Sequence, residues 1–174
     1  MSEKRSYRFC PVCGGGLLPK PDMDGHLRLT CTECSFLLYI NPKPSGNALV
    51  VKDGKVLLVR RSIQPYKGWW DIPGGFLEGR EHPEEGARRE VREETGLEVE
   101  LTGLLGIFVA GNPYGPPEDG TVNLYYLARP VGGALIAGSD AASTGWFAPD
   151  KLPKNIAFRS CREALEAWKA SLAS

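Results

Sequence analysis

Three glutamates fall within five residues, and this crowding constrains the fold more than any other feature of the sequence. Glu90, Glu93 and Glu94 belong to the stretch REVREETG at residues 89–96. On an α-helix, which turns by about 100° per residue, Glu93 and Glu94 flank Glu90 and all three carboxylates share one narrow face. Like charges at these spacings destabilise a helix by roughly 0.2–0.5 kcal/mol per pair. The sequence therefore predicts a helix whose acidic face is compensated by a partner.

Signals on both sides of the glutamates predict where this helix begins and ends. Pro83 suits the first turn, Ala87 and Val91 are spaced to pack inward, and Gly96 supplies a C-terminal stop. The preceding segment GWWDIPGGFLEG (68–79) is rich in glycine and is predicted to be a loop. Its PGG at 73–75 allows the backbone to approach a ligand closely, since glycine has no Cβ.

A hard divalent cation is one partner that would compensate the crowded carboxylates. Mg2+ takes oxygen ligands, keeps several waters and is often completed by substrate phosphates. The bland alternative is a solvated helix face on which Arg88, Arg89 and Arg92 form ordinary surface ion pairs. The charge pattern alone does not separate the two interpretations.

Four of the five cysteines form two pairs, Cys10 and Cys13 in CPVC and Cys31 and Cys34 in CTEC. In a cytosolic chain this spacing is typical of a zinc site rather than of disulfides, the alternative being four unrelated thiols. Four thiolates close a tetrahedral shell, so the zinc is expected to be structural. The fifth cysteine lies on an apolar helical stripe and is interpreted as a packed core thiol; the stripe comprises Cys161, Ala164, Leu165, Trp168 and Leu172.

Composition limits the remaining function classes. The 174 residues carry 21 basic and 21 acidic side chains. This net charge of zero argues against non-specific electrostatic binding to nucleic acid or to an anionic membrane. No apolar run approaches the ~20 residues that span a bilayer, and the N-terminus has no secretory h-region, so a cytoplasmic protein without membrane partners is expected.

The order of elements predicts a mixed α/β fold. NPKPSG at 41–46 is interpreted as a boundary after the cysteine segment, and Asp53-Gly54 as the turn of a β-hairpin. Strand-like runs at 97–109 and 121–128 follow the acidic helix, and an amphipathic helix ends the chain. The predicted order β–β–loop–α–β–β–α favours a mixed sandwich over a doubly wound parallel sheet.

Read with its flanks, the acidic stretch resembles the signature of the Nudix hydrolases, G-x5-E-x7-R-E-U-x-E-E-x-G-U, in which U is a bulky aliphatic residue. All nine specified positions match across 23 residues, namely Gly75, Glu81, Arg89, Glu90, Val91, Glu93, Glu94, Gly96 and Leu97. There is one departure. Many members place a glycine directly before the first glutamate, whereas this chain has Arg80 there and its glycine one position earlier, at Gly79.

The resemblance implies a Nudix-type α/β/α sandwich and hydrolysis dependent on Mg2+ or Mn2+. It implies that Glu90, Glu93 and Glu94, with the carbonyl of Gly74, hold the catalytic metal. Glu93 is the residue that the resemblance suggests as general base. Arg89 would orient the cluster by pairing with Glu81.

The whole chain is interpreted as a small zinc ribbon at 1–42 followed by a Nudix hydrolase domain at 43–174. This arrangement resembles the NADH pyrophosphatases and a shorter group acting on ADP-ribose and FAD. The chain lacks the SQPWPFP motif of the NADH group. The implied reaction is cleavage of the diphosphate in ADP-ribose or a dinucleotide such as NADH or FAD, releasing AMP.

Several alternatives remain open beside this small-molecule activity. One is an NADH or RNA-cap pyrophosphatase that lacks the usual extra motif. Another is a non-catalytic Nudix ligand sensor or a zinc-ribbon adaptor. The intact glutamates favour catalysis, and the neutral charge disfavours a nucleic-acid adaptor. Analogy with related enzymes implies a homodimer.

Candidate substrate contacts are Trp70, Arg60, Pro113 and Glu118. Trp70, or its neighbour Trp69, would stack on adenine, although buried tryptophan is the commoner role. Arg60 or Arg61 would meet phosphates, and Pro113 stands 16 residues beyond Leu97, where ADP-ribose pyrophosphatases tend to have a proline. Glu118, or Asp119 beside it, would add a carboxylate to the site. An ordinary role remains open for the other residues as well: a turn for Pro113, an exposed loop acid for Glu118 and a solvated strand end for Arg60.

Overall fold

The computed structural model describes residues 7–114, 119–136, 138 and 141–172. It divides into two compact units, Met1–Asn41 and Pro42–Ser174. The first unit holds a three-stranded antiparallel sheet of β1 (Leu17–Pro21), β2 (Leu27–Cys31) and β3 (Leu37–Leu38). Its small core is built around two of the paired cysteines, Cys10 and Cys31, together with Leu17.

The second unit is a seven-stranded mixed sheet with two helices. The order of the main strands is β10-β5-β4-β9-β8; β6 pairs with β5, β7 pairs with β4, and β4 and β9 run parallel. Neither helix of the described residues is long and apolar enough to cross a membrane. The elements are β4 (Lys43–Lys52), β5 (Lys55–Arg61), β6 (Trp70–Asp71), β7 (Gly74–Phe76), α1 (Pro83–Thr95), β8 (Leu97–Gly111), β9 (Gly120–Gly133), β10 (Ala141–Phe147) and α2 (Arg159–Ser171).

Alternation along the central strands gives the sheet two apolar faces. In β5, Val56 and Leu58 belong to the core that packs against α2, whereas Leu57 between them belongs to the core that packs against α1. Successive side chains on a strand point to opposite faces, so one strand supplies both cores. The predicted α/β/α sandwich is confirmed.

Helix α1 begins and ends at the predicted residues. His82 caps its N-terminus in a capping box with Glu85, and Pro83 occupies the first turn. The helix ends at Gly96, whose φ of 72° is the left-handed conformation that glycine adopts without a Cβ penalty. Ala87 and Val91 are fully buried beneath it, as their spacing predicts.

The predicted hairpin between β4 and β5 is also present. Lys52 pairs with Lys55 across a two-residue turn, and Asp53 and Gly54 both have positive φ, at 50° and 70°. This is the type I′ geometry that an Asp-Gly turn favours.

In the second unit, β6, β7 and β10 were not predicted from the sequence, nor was the start of β4 as early as Lys43. The segment 68–79 is not simply a loop, because β6 and β7 lie within it and pair with β5 and β4. The segment NPKPSG is not an irregular linker throughout, since β4 begins at Lys43 and runs through both Pro44 and Gly46. Strand β10 was missed altogether. Glycine and proline have low strand propensity, and these segments are strands because tertiary pairing overrides it.

The predicted apolar stripe of the C-terminal helix is present except at its last residue. Cys161, Ala164, Leu165 and Trp168 are buried in the core under α2, and the interpretation of Cys161 as a core thiol is confirmed. Leu172 is 55% exposed because the helix ends at Ser171, so the stripe stops one turn short of the prediction.

Candidate active site

The sheet face beneath α2 changes from polar to apolar halfway along two neighbouring strands. On β4 the inward positions are Ser45 and Asn47, and only after these come apolar side chains of the core. On β9, Thr121 and Asn123 likewise precede Tyr125, which belongs to that core. The apolar half packs against α2, and the polar half forms the floor of a cavity of about 560 Å³.

The polar floor is a continuous hydrogen-bonded chain. The amide of Asn47 donates to Ser45 Oγ at 2.9 Å, and Ser45 donates to Asn123 Oδ1 at 2.9 Å. Asn123 in turn donates to Thr121 Oγ1 at 3.0 Å. Buried polar side chains are retained at a cost to stability, so four of them on one sheet face point to a ligand site.

One wall of the cavity is acidic. Glu90 and Glu94 project from α1, Asp71 comes from β6, and the backbone of Gly74 and Gly75 passes between them. The amide of Gly74 donates to Glu94 Oε2 at 3.1 Å. A Cβ at Gly75 would lie 2.3 Å from Glu90 Oε1, so any larger residue there would displace this carboxylate from its present position.

Crowding and burial raise the pKa values of the carboxyls in the acidic wall. Desolvation, followed by repulsion from Asp71 and from Glu90, raises the pKa of Glu94 to about 8. Desolvation also raises the pKa of Glu90, and it raises that of Asp71 to about 6 against the opposing effect of Arg61. If all three were ionised, their negative charge would exceed what the neighbouring residues neutralise. A divalent cation is the partner that such a donor set fits.

Arg89 organises the neighbouring carboxylates from the same helix. It donates to both oxygens of Glu81, at 2.7 and 3.0 Å, and through Nη1 to Glu90 at 2.8 Å and Glu93 at 3.1 Å. Its Nη2 also reaches the Phe76 carbonyl at 3.2 Å. The bonds from Arg89 lower the pKa of Glu81 to about 2. Arg89 therefore fixes the loop after β7 to the helix.

The departure from the family signature changes the loop without losing this contact. Gly79 has a φ of +46°, and the turn is closed by a bond of 2.7 Å from the Glu81 amide to the Glu78 carbonyl. The Glu78 amide donates back to Glu81 Oε2 at 3.1 Å. With the glycine one position early, Glu81 still reaches Arg89.

The three predicted metal-binding glutamates do not all point into the cavity. Glu90 and Glu94 line it, whereas the Glu93 side chain is 51% exposed and pairs with Arg89. Among the described residues, the acidic, cysteine and histidine ligand atoms that converge in groups of three or more belong to the paired cysteines and to Asp22, Asp24 and His26. The second group is a turn in which Asp22 is already neutralised by Arg28.

The predicted substrate contacts divide between the cavity and its surroundings. Pro113 lines the cavity. Trp70 packs edge-on against Phe147 in the core at 4.9 Å and is not among the residues that line the cavity, so its stacking on adenine stays a prediction. Arg60 does not line the cavity either; its exposed Nε donates to the Gly68 carbonyl at 2.9 Å, and its contact with phosphates stays a prediction. Glu118 lies outside the described residues.

Arg61 is the cavity residue that takes the place of Arg60. Adjacent strand residues point to opposite faces, so only one of the two arginines enters the cavity. The sequence showed the pair but not the register, which is set by the pairing of β5 with β6. Asp119, the alternative to Glu118, is buried and paired with Lys43 at 2.9 Å.

The four paired cysteines of the first unit converge. Their Sγ atoms lie 3.7 Å apart for Cys10 and Cys34, 3.5 Å for Cys13 and Cys31, and 3.6 Å for Cys13 and Cys34. Zn–S bonds of about 2.3 Å place tetrahedral sulfurs about 3.8 Å apart, so the spacing fits a zinc ion. The Glu33 amide is the first of several groups that lower the pKa of Cys31 to about 6, which favours the thiolate form.

Comparison with known proteins identifies the family of the second unit. The model of the NUDIX domain matches residues 42–168. The chain belongs to the Nudix hydrolase family. A solved Nudix hydrolase from Nitrosomonas europaea has the same fold, with a TM-score of 0.79 and 29% identity over 92% of this chain and 89% of that one.

Two similar Nudix proteins differ in how much of the chain they match. An ADP-ribose pyrophosphatase from Methanocaldococcus jannaschii is 36% identical over 119 residues, which are 68% of this chain and 69% of the relative. An NAD-capped RNA hydrolase NudC from Vibrio atlanticus is 31% identical over 155 residues, covering 86% of this chain and 52% of the relative. The chain therefore spans about half the length of that second relative.

Replacing Glu94 by glutamine is expected to stabilise this Nudix hydrolase at pH 8 in buffer free of Mg2+ and Mn2+. The folded-state pKa of about 8 exceeds the ordinary 4.5, so the folded chain holds the proton more tightly. The free energy of unfolding consequently falls as pH rises through this window, and glutamine, which does not titrate, escapes the loss. The gain at pH 8 is on the order of 2 kcal/mol, after discounting for solvent screening.

Urea unfolding at about pH 5 and pH 8 measures this difference. Glu166→Gln is the matched control, because Glu166 is exposed on α2 and makes only a surface pair with Lys169. An equal pH dependence in the two variants would show that the carboxyl of Glu94 is not strained in the folded chain.

Proposed function

We propose that this Nudix hydrolase is a metal-dependent pyrophosphohydrolase. Its substrate is a nucleoside diphosphate linked to another group, ADP-ribose or a dinucleotide such as NADH or FAD, and AMP is released. The observation that carries the proposal is one cavity lined both by the carboxylates of Glu90 and Glu94 and by the guanidinium of Arg61. Such a cavity suits a divalent cation and a diphosphate side by side.

Glu90, Glu93, Glu94 and the carbonyl of Gly74 are the proposed ligands of Mg2+ or Mn2+. When bound, such a cation lowers the pKa of a coordinated water and neutralises charge at a phosphorus under attack. Two of the carboxylates line the cavity, and one or two carboxylates are the usual protein share of a magnesium site. Glu93 is exposed enough to turn away from Arg89 and join them.

The roles proposed for Arg89 and Glu93 follow from their contacts. Arg89 orients Glu90 and keeps the β7 loop against α1, which is a positioning role. Glu93 is the proposed general base, which takes the proton of the attacking water. Its carboxylate is held by a single bond to Arg89, so it is the most easily redirected acid of the cluster.

A second candidate substrate is the NAD cap of an RNA, or NADH itself. One relative favours it, both by its name and by the share of this chain that its alignment covers. The alignment with the NudC from Vibrio atlanticus covers 86% of this chain, more than residues 42–168 alone supply, so it reaches into the cysteine unit. The ADP-ribose pyrophosphatase from Methanocaldococcus jannaschii covers 68%. A net charge of zero favours the small substrate over RNA.

Hydrolysis of one substrate class and its loss on Glu93→Gln are the expected results of a direct test. AMP release is measured by chromatography with Mg2+ or Mn2+, using ADP-ribose, NADH, FAD, diadenosine tetraphosphate and an NAD-capped RNA. Removing a general base or ligand is expected to lower kcat about 100-fold or more. Glu84→Gln is the matched control, because Glu84 lies on the same helix and pairs only with Arg88.

Two results would contradict the proposal in different ways. Full turnover by Glu93→Gln would exclude Glu93 as general base and as an essential metal ligand. Its role would then be limited to the ion pair with Arg89. Tight binding of these compounds without turnover of any would support a ligand sensor or adaptor instead.

For the first unit we propose a structural zinc ribbon, residues 1–42, preceding the hydrolase domain at 43–174. The sulfur spacing and the small core around Cys10 and Cys31 support it, because so few apolar residues do not hold a fold on their own. Thiolates that bind zinc rather than form disulfides also favour a reducing, cytosolic location.

Cys31→Ser is expected to abolish zinc binding and unfold the first unit. Metal analysis would find about one zinc per wild-type chain and none in the variant, and limited proteolysis would cut the variant within residues 1–41. Cys161→Ser is the control, since that thiol is buried in the second unit. Retention of zinc by Cys31→Ser would exclude the four-cysteine site.

A homodimer is proposed from analogy with related enzymes, and the edge strand β8 supports it. This strand lies at the end of the sheet and carries exposed apolar side chains at Leu104 (52%), Ile107 (56%) and Val109 (66%). A long apolar edge is otherwise a liability for a monomer.

Ile107→Glu is expected to halve the mass measured by light scattering, because it places a charge in the paired edge. Met23→Glu, at an apolar residue that is fully exposed in the first unit, is the control and keeps the wild-type mass. A wild-type mass equal to one chain would refute the dimer.

A further inference from the structure

The cavity presents its chemical groups in a fixed order. Glu94 and Asp71 form the acidic end, and Asp71 accepts from Arg61 Nη1 at 3.3 Å. The guanidinium of Arg61 then lies 4.8 Å from the centre of the Phe158 ring, and the Tyr66 ring meets Phe158 edge-on at 5.2 Å. Acid, cation and aromatic ring therefore follow one another along one side of the cavity.

Arg61 is held firmly and still has donors to spare. Its side chain is 13% exposed. It donates to the Pro65 carbonyl at 2.9 Å, to Asp71, and to the Tyr114 hydroxyl at 2.7 Å. A guanidinium carries five N–H donors, so these three bonds leave two for a ligand in the cavity that it lines.

Tyr66 is the unusual residue of the aromatic end. Its φ is 63°, a left-handed conformation that bulky residues rarely adopt. The Trp69 amide donates to its carbonyl at 2.9 Å, and Arg61 holds the preceding Pro65. The Tyr66 side chain nonetheless stays 41% exposed and lines the cavity. A strained backbone that presents an exposed ring to a cavity is typical of a ligand clamp.

We propose that Tyr66, supported edge-on by Phe158, is the stacking platform for the planar aromatic base of the substrate. This inference rests on the proposed function, because it assigns the end of the cavity that receives the base. In a nucleoside diphosphate the base, ribose and phosphates are linked in that order, which matches the order from Tyr66 through Arg61 to the glutamates. The base lies against Tyr66 while Arg61 donates to the diphosphate.

Other aromatic residues compete less well for this role. Trp69 contacts Tyr66 at 5.4 Å but is not among the residues lining the cavity, and Trp70 is packed in the core. Phe76 and Tyr114 form a second edge-on pair at 6.0 Å. Phe76 follows directly on Gly75 beside Glu90, so a base placed there would compete with the phosphates for the acidic end. Phe76 is consequently the matched comparison.

Binding of AMP, measured by calorimetry, tests the platform without requiring turnover. Tyr66→Leu removes the ring and keeps apolar bulk, and Tyr66→Phe keeps the ring. We expect the Kd of AMP to rise about tenfold in Tyr66→Leu and to stay unchanged in Tyr66→Phe and Phe76→Leu. Ribose 5-phosphate, which lacks the base, is expected to bind all variants equally.

Steady-state kinetics give a second readout. With the substrate that is hydrolysed, Tyr66→Leu is expected to raise KM about tenfold and leave kcat unchanged, since stacking is equal in the ground and transition states. Tyr66→Asn is the backup variant if leucine disturbs folding, because asparagine tolerates a positive φ and also lacks the ring.

The outcomes separate this inference from the proposed function. If the wild-type chain hydrolyses a substrate but Tyr66→Leu leaves Kd and KM unchanged, the platform alone is overturned. The same holds if AMP binding is weakened in Phe76→Leu instead. Tyr66-dependent AMP binding without any turnover would overturn the proposed hydrolysis and keep the platform. Absence of AMP binding by a wild-type chain that also turns over no substrate would overturn both.

Discussion

The contact on which the site depends is the fan of hydrogen bonds made by Arg89. One guanidinium reaches Glu81, Glu90, Glu93 and the carbonyl of Phe76. It joins the loop after β7 to the middle of α1 and provides positive charge to two of the three glutamates on the helix face, Glu90 and Glu93. The side chain is only 19% exposed, so these bonds are screened less than surface pairs. Together with the bond from the Gly74 amide to Glu94 Oε2, these contacts attach β7 and the loop after it to α1.

The second determinant is where the apolar face of the sheet stops. Leu49 and Tyr125 pack in the core with α2, whereas Ser45 and Asn123, earlier on the same strands, form the floor of the cavity. Converting that floor to apolar residues would extend the core and raise stability, because buried polar side chains cost free energy even when bonded. The chain keeps them where the cavity opens. Binding capacity therefore comes from an interrupted core rather than from an added domain.

The sequence predicted features whose cause is local and missed those whose cause is pairing. Helix α1 was predictable because Pro83 and Gly96 act on their own neighbours. Strand β7 was not, since Gly74–Phe76 has no strand preference and forms only because β4 lies beside it. The choice between Arg60 and Arg61 depended on register, which a pair of identical residues does not reveal. The glutamates were predictable as a cluster, but the turning of Glu93 towards Arg89 was not.

The raised pKa values of Glu90 and Glu94 connect stability with binding. Carboxyls that resist ionisation make the empty site less stable at neutral pH than an apolar site would be, and a bound cation relieves this cost. Any ligand that binds only the folded chain stabilises it by mass action, so the cation regains what the crowded acids give up. In the proposed site, phosphates of a substrate would supply further oxygen ligands, as Mg2+ sites in proteins commonly require. The proposed cation would thus offset the cost that the acidic wall carries by itself, and this would explain how a helix retains charges that its own stability opposes.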